Sequence, residues 1–401
     1  MIKSIHAKLA FLTKDETIIL LEFLLFSLII RVLLFHLQGY KEDLAAFSAW
    51  FNAAAEYGPQ VFYNAIWCDY PPFNVYIFWI FGSIAKWLSL FGTSSFVYSL
   101  KMPSTLFDVA ISLLIYIFLR RKLDFKTSLV TSLLYAFNPA TIFNTSVWGQ
   151  YDAIYTFFLV LSIVAIVNSK PKLSVIAYTI GVLTKPQSIA LAPLIIFLIV
   201  KKDGWRGIIT AASVSAVTIL VVVMPLTQGN PVSLLVSVYL LGYGNYPYTS
   251  LYAFNIWTYV GFWKPDTNPL LFLNFSTIGW MMFGILIVFI LNELSRKNNC
   301  SKEMLVFLSA FVLLFGFFML PTRIHERYLF PVFSFLVLML PFIRKTLLIY
   351  GILTFTYLLN LVSVLRGGIA LNYDPLAWTA ASVNLIVFLY ALQIIKKEMS
   401  K

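Results

Sequence analysis

Ionisable residues are scarce in this chain, and those outside its basic clusters gather in short polar islands. The first, HLQGYKEDLAAFSAW (36–50), carries the neighbouring acids Glu42 and Asp43, and Asp69 follows in CDYPPF. NPATIFNTSVWGQYD (138–152) brings Gln150 and Asp152, and LTKPQ (183–187) brings Lys185 and Gln187. PTRIHERYLFP (321–331) sets Arg323, His325, Glu326 and Arg327 between apolar runs, where three adjacent charges are costly without partners or a ligand. A single carboxylate can take the proton of an attacking hydroxyl. Arginine, lysine or histidine can stabilise a departing phosphate, and arginine offers a fork matched to it. An aromatic stretch, LLGYGNYPYTSLYAFNIWTYVGFWKPDTNP, supplies faces on which sugars stack. Together these residue types suit a reaction on a lipid-linked phosphate at a membrane surface. No phosphate-binding glycine loop and no EF-hand or zinc spacing is present, and His6, His36 and His325 are too scattered for a metal set.

The elements that must position these residues lie in lipid. Of 401 residues, 60% are hydrophobic, 17% aromatic and only 11% charged, a composition that leaves no polar surface for a soluble domain. Apolar runs near the ~20 residues a bilayer requires recur throughout, and about 11–13 spans are expected. They begin near residues 17, 72, 103, 127, 152, 173, 188, 207, 270, 303, 328, 346 and 376. The run Thr17 to Leu37 lacks a small-residue cleavage site and is expected to be retained. Those at 127, 173 and 188 are short and interrupted by Asn138-Pro139 or Lys185-Pro186. The fold class is therefore all-α and polytopic, with residues 1–401 forming one integral-membrane unit.

The formal charge of +12 is topological and does not mark a nucleic-acid patch. Most of the 29 lysines and arginines sit in knots between apolar runs, such as Lys3/Lys8/Lys14, Arg120/Arg121/Lys122/Lys126 and Lys201/Lys202/Arg206. Further knots are Lys170/Lys172, Arg296/Lys297/Lys302, Arg344/Lys345 and Lys396/Lys397/Lys401. With the knots in the cytoplasm, the polar islands share the extracytoplasmic face, in a helical first loop (38–71), a second large loop (225–269) and the shorter islands. Cys68 and Cys300 then fall on opposite sides, which argues against a disulfide. If the runs at 72 and 103 both crossed, Asp43 and the Arg120 knot would share a side. The 72 run, with Gly82-Ser83 and Lys86, is the one expected to be re-entrant or to lie along the surface.

Plainer readings exist for several residues. Asp69 before Tyr70-Pro71-Pro72 reads most simply as the start of a helix. Asp152 can serve likewise, Lys185 can snorkel to headgroups, and most rings of the aromatic loop can form an interfacial belt. Asp108, inside a span, is expected to pair with Lys101 or Arg31.

In their order along the chain, EDLAAFSAW, DYPPF, TLFDVAISLLIY, NPATIFNTSVWGQYD, TKPQ and IHERY resemble the integral-membrane GT-C glycosyltransferases. The chain looks most like prokaryotic relatives of the second glycosylphosphatidylinositol mannosyltransferase, and is also similar to dolichyl-phosphate-glucose-dependent glucosyltransferases. The resemblance implies a multi-pass protein of the cell membrane acting on its extracytoplasmic face. It implies a hexose donor, mannose before glucose, carried on polyprenyl or dolichyl phosphate, and a glycan, lipid or protein acceptor. The acid seven residues before a tryptophan is that family's proposed base, here Asp43 before Trp50. His325 and Glu326 match its island near the donor phosphate, and Lys185 matches a motif position; from their chemistry, Arg327, Lys185 or Arg323, with His325, are expected to hold the leaving phosphate. Asp69, Gln150, Asp152 and Gln187 match motif positions and count as substrate-binding candidates. Some branches carry Asp-x-Asp and use a metal; Glu42-Asp43 here speaks against one, and no cofactor is expected. A transporter or flippase of a lipid-linked or small polar substrate is the alternative, since it too uses intramembrane charges and broken helices.

Overall fold

The computed structural model describes residues 13–296, 303–367, 369–370 and 373–400. Lys3, His6, Lys8, Lys297, Cys300, Lys302 and Lys401 lie outside the described residues.

The chain is a helical membrane protein. In order, the principal helices are α1 (Lys14–Leu33), α2 (Lys41–Tyr57), α3 (Phe73–Trp87), α4 (Phe96–Arg120), α5 (Phe125–Ala136), α6 (Asp152–Val167) and α7 (Pro171–Val182). They continue as α8 (Ala192–Val223), α9 (Pro231–Gly244), α10 (Phe275–Ser295), α11 (Glu303–Met319), α12 (Val332–Met339), α13 (Thr346–Leu365) and α14 (Pro375–Ser400). Five stretches among the described residues are long and apolar enough to cross a bilayer: α4, residues 186–226, α10, α13 and α14. The stretch 186–226 is not one straight rod. It breaks at Gly204 (φ 57°, ψ −147°), between Lys201/Lys202 and Arg206, where the sequence places a knot between two runs.

One apolar core joins α4, α6, α10, α11, α12, α13 and α14. A second, built around Phe47, Trp50, Phe51, Phe78 and Tyr151, joins α2 and α3 to the start of α6. The sequence of α2 dictates that arrangement. Phe47, Trp50, Phe51 and Ala54 recur at helical spacing and bury one stripe, while Glu42 and Asp43 occupy the first turn, where the helix dipole favours acids. Phe47 stacks on Tyr151 with ring centroids 4.5 Å apart.

The 72 run forms α3, whose 15 residues fall short of the ~20 a span needs. Helix α3 runs beside α2 in the same direction. Phe47 and Phe51 face Phe78, and farther along Lys86 Nζ reaches Glu56 Oε2 at 2.7 Å.

Helix α4 carries a buried polar stripe, Lys101, Ser104, Thr105, Asp108 and Ser112, at one-face spacing. Asp108 pairs with Arg31, at 2.8 Å, and both side chains are fully buried. Lys101 does not join them. Its ammonium donates to the carbonyls of Phe35, Leu37 and Val147 at 3.1, 2.9 and 2.9 Å.

Candidate active site

Residues 137–151 turn the chain sharply between α5 and α6, and this turn builds one side of the site. Asn138 caps the turn Pro139–Ile142 by accepting from the amides of Ala140 and Thr141. A six-residue π-helix, Phe143–Trp148, follows, a form often found where function requires an unusual backbone. It ends at Gly149, whose left-handed φ of 89° favours glycine. Gly39 completes the approach, because a Cβ there would lie 2.4 Å from the Trp148 carbonyl oxygen. The two glycines let the start of α2 close on the turn.

Asp43 sits at that junction. Its Oδ2 accepts from Trp148 Nε1 at 2.8 Å and from Gln150 Nε2. Tyr40 stacks on the Trp148 ring, centroids 5.1 Å apart, and steadies that donor. Gln150 is itself held, its Oε1 accepting from Tyr70 OH at 3.2 Å and Lys185 Nζ at 3.3 Å. Lys185 forms a buried ion pair with Asp152 at 2.7 Å, and Asp152 Oδ2 accepts from Asn144 Nδ2 at 3.0 Å. The same amide nitrogen of Asn144 reaches Tyr357 OH, which donates to the carbonyl of Arg327. A continuous polar chain thus runs from Asp43 to the 323–327 segment.

That segment is anchored from the aromatic loop. Ser250–Leu251 pairs in parallel with Ile324–His325, and Trp257 Nε1 donates to Leu320 O at 2.8 Å. Arg323 has a left-handed φ of 64°. Its guanidinium grips buried Asp266 through Nε at 2.7 Å and Nη2 at 3.3 Å, and Nη1 donates to Tyr243 O. Arg327 is bound differently. Among the described residues only its Nη1 is hydrogen-bonded, at 2.9 Å from Glu326 Oε1 and 3.3 Å from His325 Nδ1, and its buried Nε has no partner. Of the two arginines, Arg327 retains donors for a ligand.

Burial, then the charge of Arg327, lowers the pKa of His325 below the usual histidine value. With the Glu326 carboxylate 3.8 Å away, too far for a hydrogen bond, Arg327 casts Nδ1 as acceptor and leaves the proton on Nε2. His325 is then a neutral donor at pH 7. For Glu326, burial alone would raise the pKa, but the Arg327 charge brings it below the usual range. At Asp69 burial prevails, and its carboxyl rises above the usual range.

These side chains surround a cavity of about 630 Å³. Asp43, Asp69, Lys185, Gln187, Arg323, His325 and Arg327 line it. Gln150, Asp152 and Glu326 stand behind the lining as its buried support. Asp69 does not cap α3, whose N-cap residue is Pro72 and which has no side-chain cap, so the helix-start reading gives way to a place on the cavity lining. Lys185 is buried and paired and does not snorkel. The lining brings the acids Glu42, Asp43 and Asp69 together with the cations Lys185, Arg323 and Arg327. Ile189, Trp280 and Phe317 add an apolar side. Among the described residues, no three His, Cys, Asp or Glu side chains are grouped to hold a metal ion.

Trp148, Asn144, Asp266 and Tyr357 escape a sequence reading. The first two lie inside the quoted 138–152 island, so that signal was present. Asp266 and Tyr357 are remote from their partners in sequence.

Residues 69–228 match the family model of the dolichyl-phosphate-mannose-protein mannosyltransferases. That match supports a glycosyltransferase of the GT-C superfamily. It covers Asp69, Gln150, Asp152, Lys185 and Gln187, and leaves Asp43 and the 323–327 segment outside. Among solved structures, the chain is similar to an oligosaccharyltransferase of Archaeoglobus fulgidus tethered by a disulfide bond to an acceptor peptide containing the NVT sequon. The TM-score is 0.42 and the identity 12%, over 94% of this chain. The chain spans 55% of that protein's length. No curated protein gives a match.

Proposed function

We propose that the protein transfers a hexose, mannose before glucose, from a polyprenyl- or dolichyl-phosphate sugar to a hydroxyl of a glycan, lipid or protein. The observation that carries this reading is a single cavity lined by both the carboxylate of Asp43 and the guanidinium of Arg327, together with apolar Ile189, Trp280 and Phe317. In the proposed step the acceptor oxygen attacks the anomeric carbon while Asp43 takes its proton. The bond from that carbon to the phosphate oxygen breaks, and the electron pair leaves with the lipid phosphate. Configuration inverts. Arg327, with His325 donating through Nε2, stabilises the charge on the leaving phosphate. The polyprenyl chain lies along Ile189, Trp280 and Phe317.

The direct test incubates purified protein in lipid with polyprenyl-phosphate mannose or glucose and candidate acceptors, and reads product by mass spectrometry. Absence of transfer from both donors across glycan, lipid and peptide acceptors counts against the reading.

The site is proposed to open on the extracytoplasmic face of the cell membrane. Cysteines at the exposed positions Glu42, Trp67 and Pro186 should label with an impermeant maleimide in sealed cells, and one at Lys202 only after lysis. Labelling of position 42 only after lysis would reverse the orientation.

Arg327→Ala should raise the donor KM by about tenfold or more, because a charge-assisted hydrogen bond contributes on the order of 1.5–3 kcal/mol. Arg323→Ala should act mainly on stability, since its fork is filled by Asp266. A folded Arg327→Ala protein with unchanged donor KM would remove Arg327 from the phosphate site.

A further inference from the structure

Among the cations that line the cavity, Lys185 has its charge met by a buried carboxylate. Lys185 Nζ lies 2.7 Å from Asp152 Oδ1 and 3.3 Å from Gln150 Oε1, and the residue is almost fully buried. A lysine ammonium carries only donors, so the Gln150 atom that faces it must be the amide oxygen. Tyr70 OH, 3.2 Å from the same oxygen, reinforces that choice. The amide is planar, so its nitrogen is turned to the other side, where it meets Asp43 Oδ2. Trp148 Nε1 donates to the same carboxylate oxygen. Asp43 Oδ1 has no hydrogen bond within the protein among the described residues.

We infer that Lys185 is a positioning residue for Asp43, acting through Gln150, and is not a ligand of the donor phosphate. Its ammonium fixes the amide, the amide pins one carboxylate oxygen, and the other oxygen is presented to the acceptor. Asp152 holds the ammonium in place and balances its charge. Without Lys185 the Gln150 amide can turn its oxygen toward Asp43, where two acceptors would face each other, and the carboxylate loses its fixed direction. A general base works only within hydrogen-bond reach of the proton it takes, so this loss falls on the chemical step.

The inference rests on the proposed role of Asp43, and its test separates the two. With polyprenyl-phosphate mannose as donor and release of polyprenyl phosphate as readout, Lys185→Met should lower kcat by about tenfold, with the donor KM within about twofold. In an Asp43→Asn background the same substitution should cost nothing further, because residues acting through one group are non-additive. Gln150→Met, which leaves the Lys185–Asp152 pair intact, should reproduce this pattern in a protein of normal stability. A raised donor KM, or a loss that adds to that of Asp43→Asn, would make Lys185 a phosphate ligand and overturn the inference. Lower yield and thermal stability with unchanged kcat in both variants would reduce the lysine to packing, and overturn it too. A second readout needs no substrate. Carbodiimide labelling of Asp43, read by peptide mass spectrometry, should speed up about fivefold in Lys185→Met, equivalent to one lost hydrogen bond. If labelling responds while the wild-type protein turns over no donor, the transferase reading fails and the positioning stands. An unchanged labelling rate overturns the positioning whatever the turnover.

Discussion

Asp43→Asn should lower the rate of sugar transfer by about two to four decades while donor binding persists, the usual cost of removing a general base. The substitution is nearly isosteric. An asparagine can turn its carbonyl oxygen to the same two donors, Trp148 Nε1 and Gln150 Nε2, so the junction between α2 and the 137–151 turn is kept. Only the ability to accept a proton is lost. Glu42→Gln is the internal control. Glu42 is the neighbouring acid on the same first turn and also lines the cavity, but it is exposed and lacks the pair of donors that fix Asp43. Its amide should transfer sugar within a few-fold of the wild-type rate. Near-normal transfer by Asp43→Asn, or equal losses in the two variants, would displace Asp43 as the base. Asp69 is then the next residue to replace, since it lines the same cavity and burial raises its carboxyl toward the protonated form.

The sequence exposes some of this arrangement because charge is so rare in it. In a chain that is 11% charged, the acids of the first island and the His325-Glu326-Arg327 triplet stand out against apolar neighbours, and the cavity brings Asp43, His325 and Arg327 onto its lining. The short α3 was legible for a similar reason, since Lys86 and the charge rule conflict with a crossing. Orientation was not legible. The direction in which Gln150 points depends on Lys185 and Tyr70, 35 and 80 residues away, and on a π-helix that no local propensity announces. The two arginines of TRIHER look equivalent in sequence. They differ chiefly through Asp266, 57 residues upstream, which with the Tyr243 carbonyl holds Arg323, while Arg327 keeps donors to offer. Pattern shows which side chains cannot be accidental; partners that are remote along the chain decide what each can still do.

The same logic yields the largest expected effect on stability, at the pair of Arg31 and Asp108. Both are fully buried between α1, α4 and α5, with Arg31 Nη2 2.8 Å from Asp108 Oδ2. The remaining donors and acceptors are satisfied locally. Tyr135 OH donates to Asp108 Oδ1 at 2.8 Å, and Arg31 Nη1 donates to Ala136 O at 2.6 Å and to Ser27. Arg31→Met fills much of the same volume but leaves a carboxylate without its counter-charge in an apolar setting. Breaking a buried pair from one side costs about 3–5 kcal/mol, so the variant should unfold at a markedly lower temperature in detergent. Removing the second charge should reverse most of this loss, because a buried pair replaced by apolar residues of similar size is often neutral or stabilising. In Arg31→Met with Asp108→Leu, Tyr135 loses an acceptor, while Ala136 O keeps the hydroxyl of Ser27 at 3.1 Å. The double variant should therefore recover all but about 1–2 kcal/mol, the cost of one unpaired buried hydroxyl. Thermal unfolding of the two single variants and the double variant gives the coupling directly. A double variant no more stable than Arg31→Met would mean that the ion pair contributes little, and that the polar stripe of α4 is held by its serines and threonines instead.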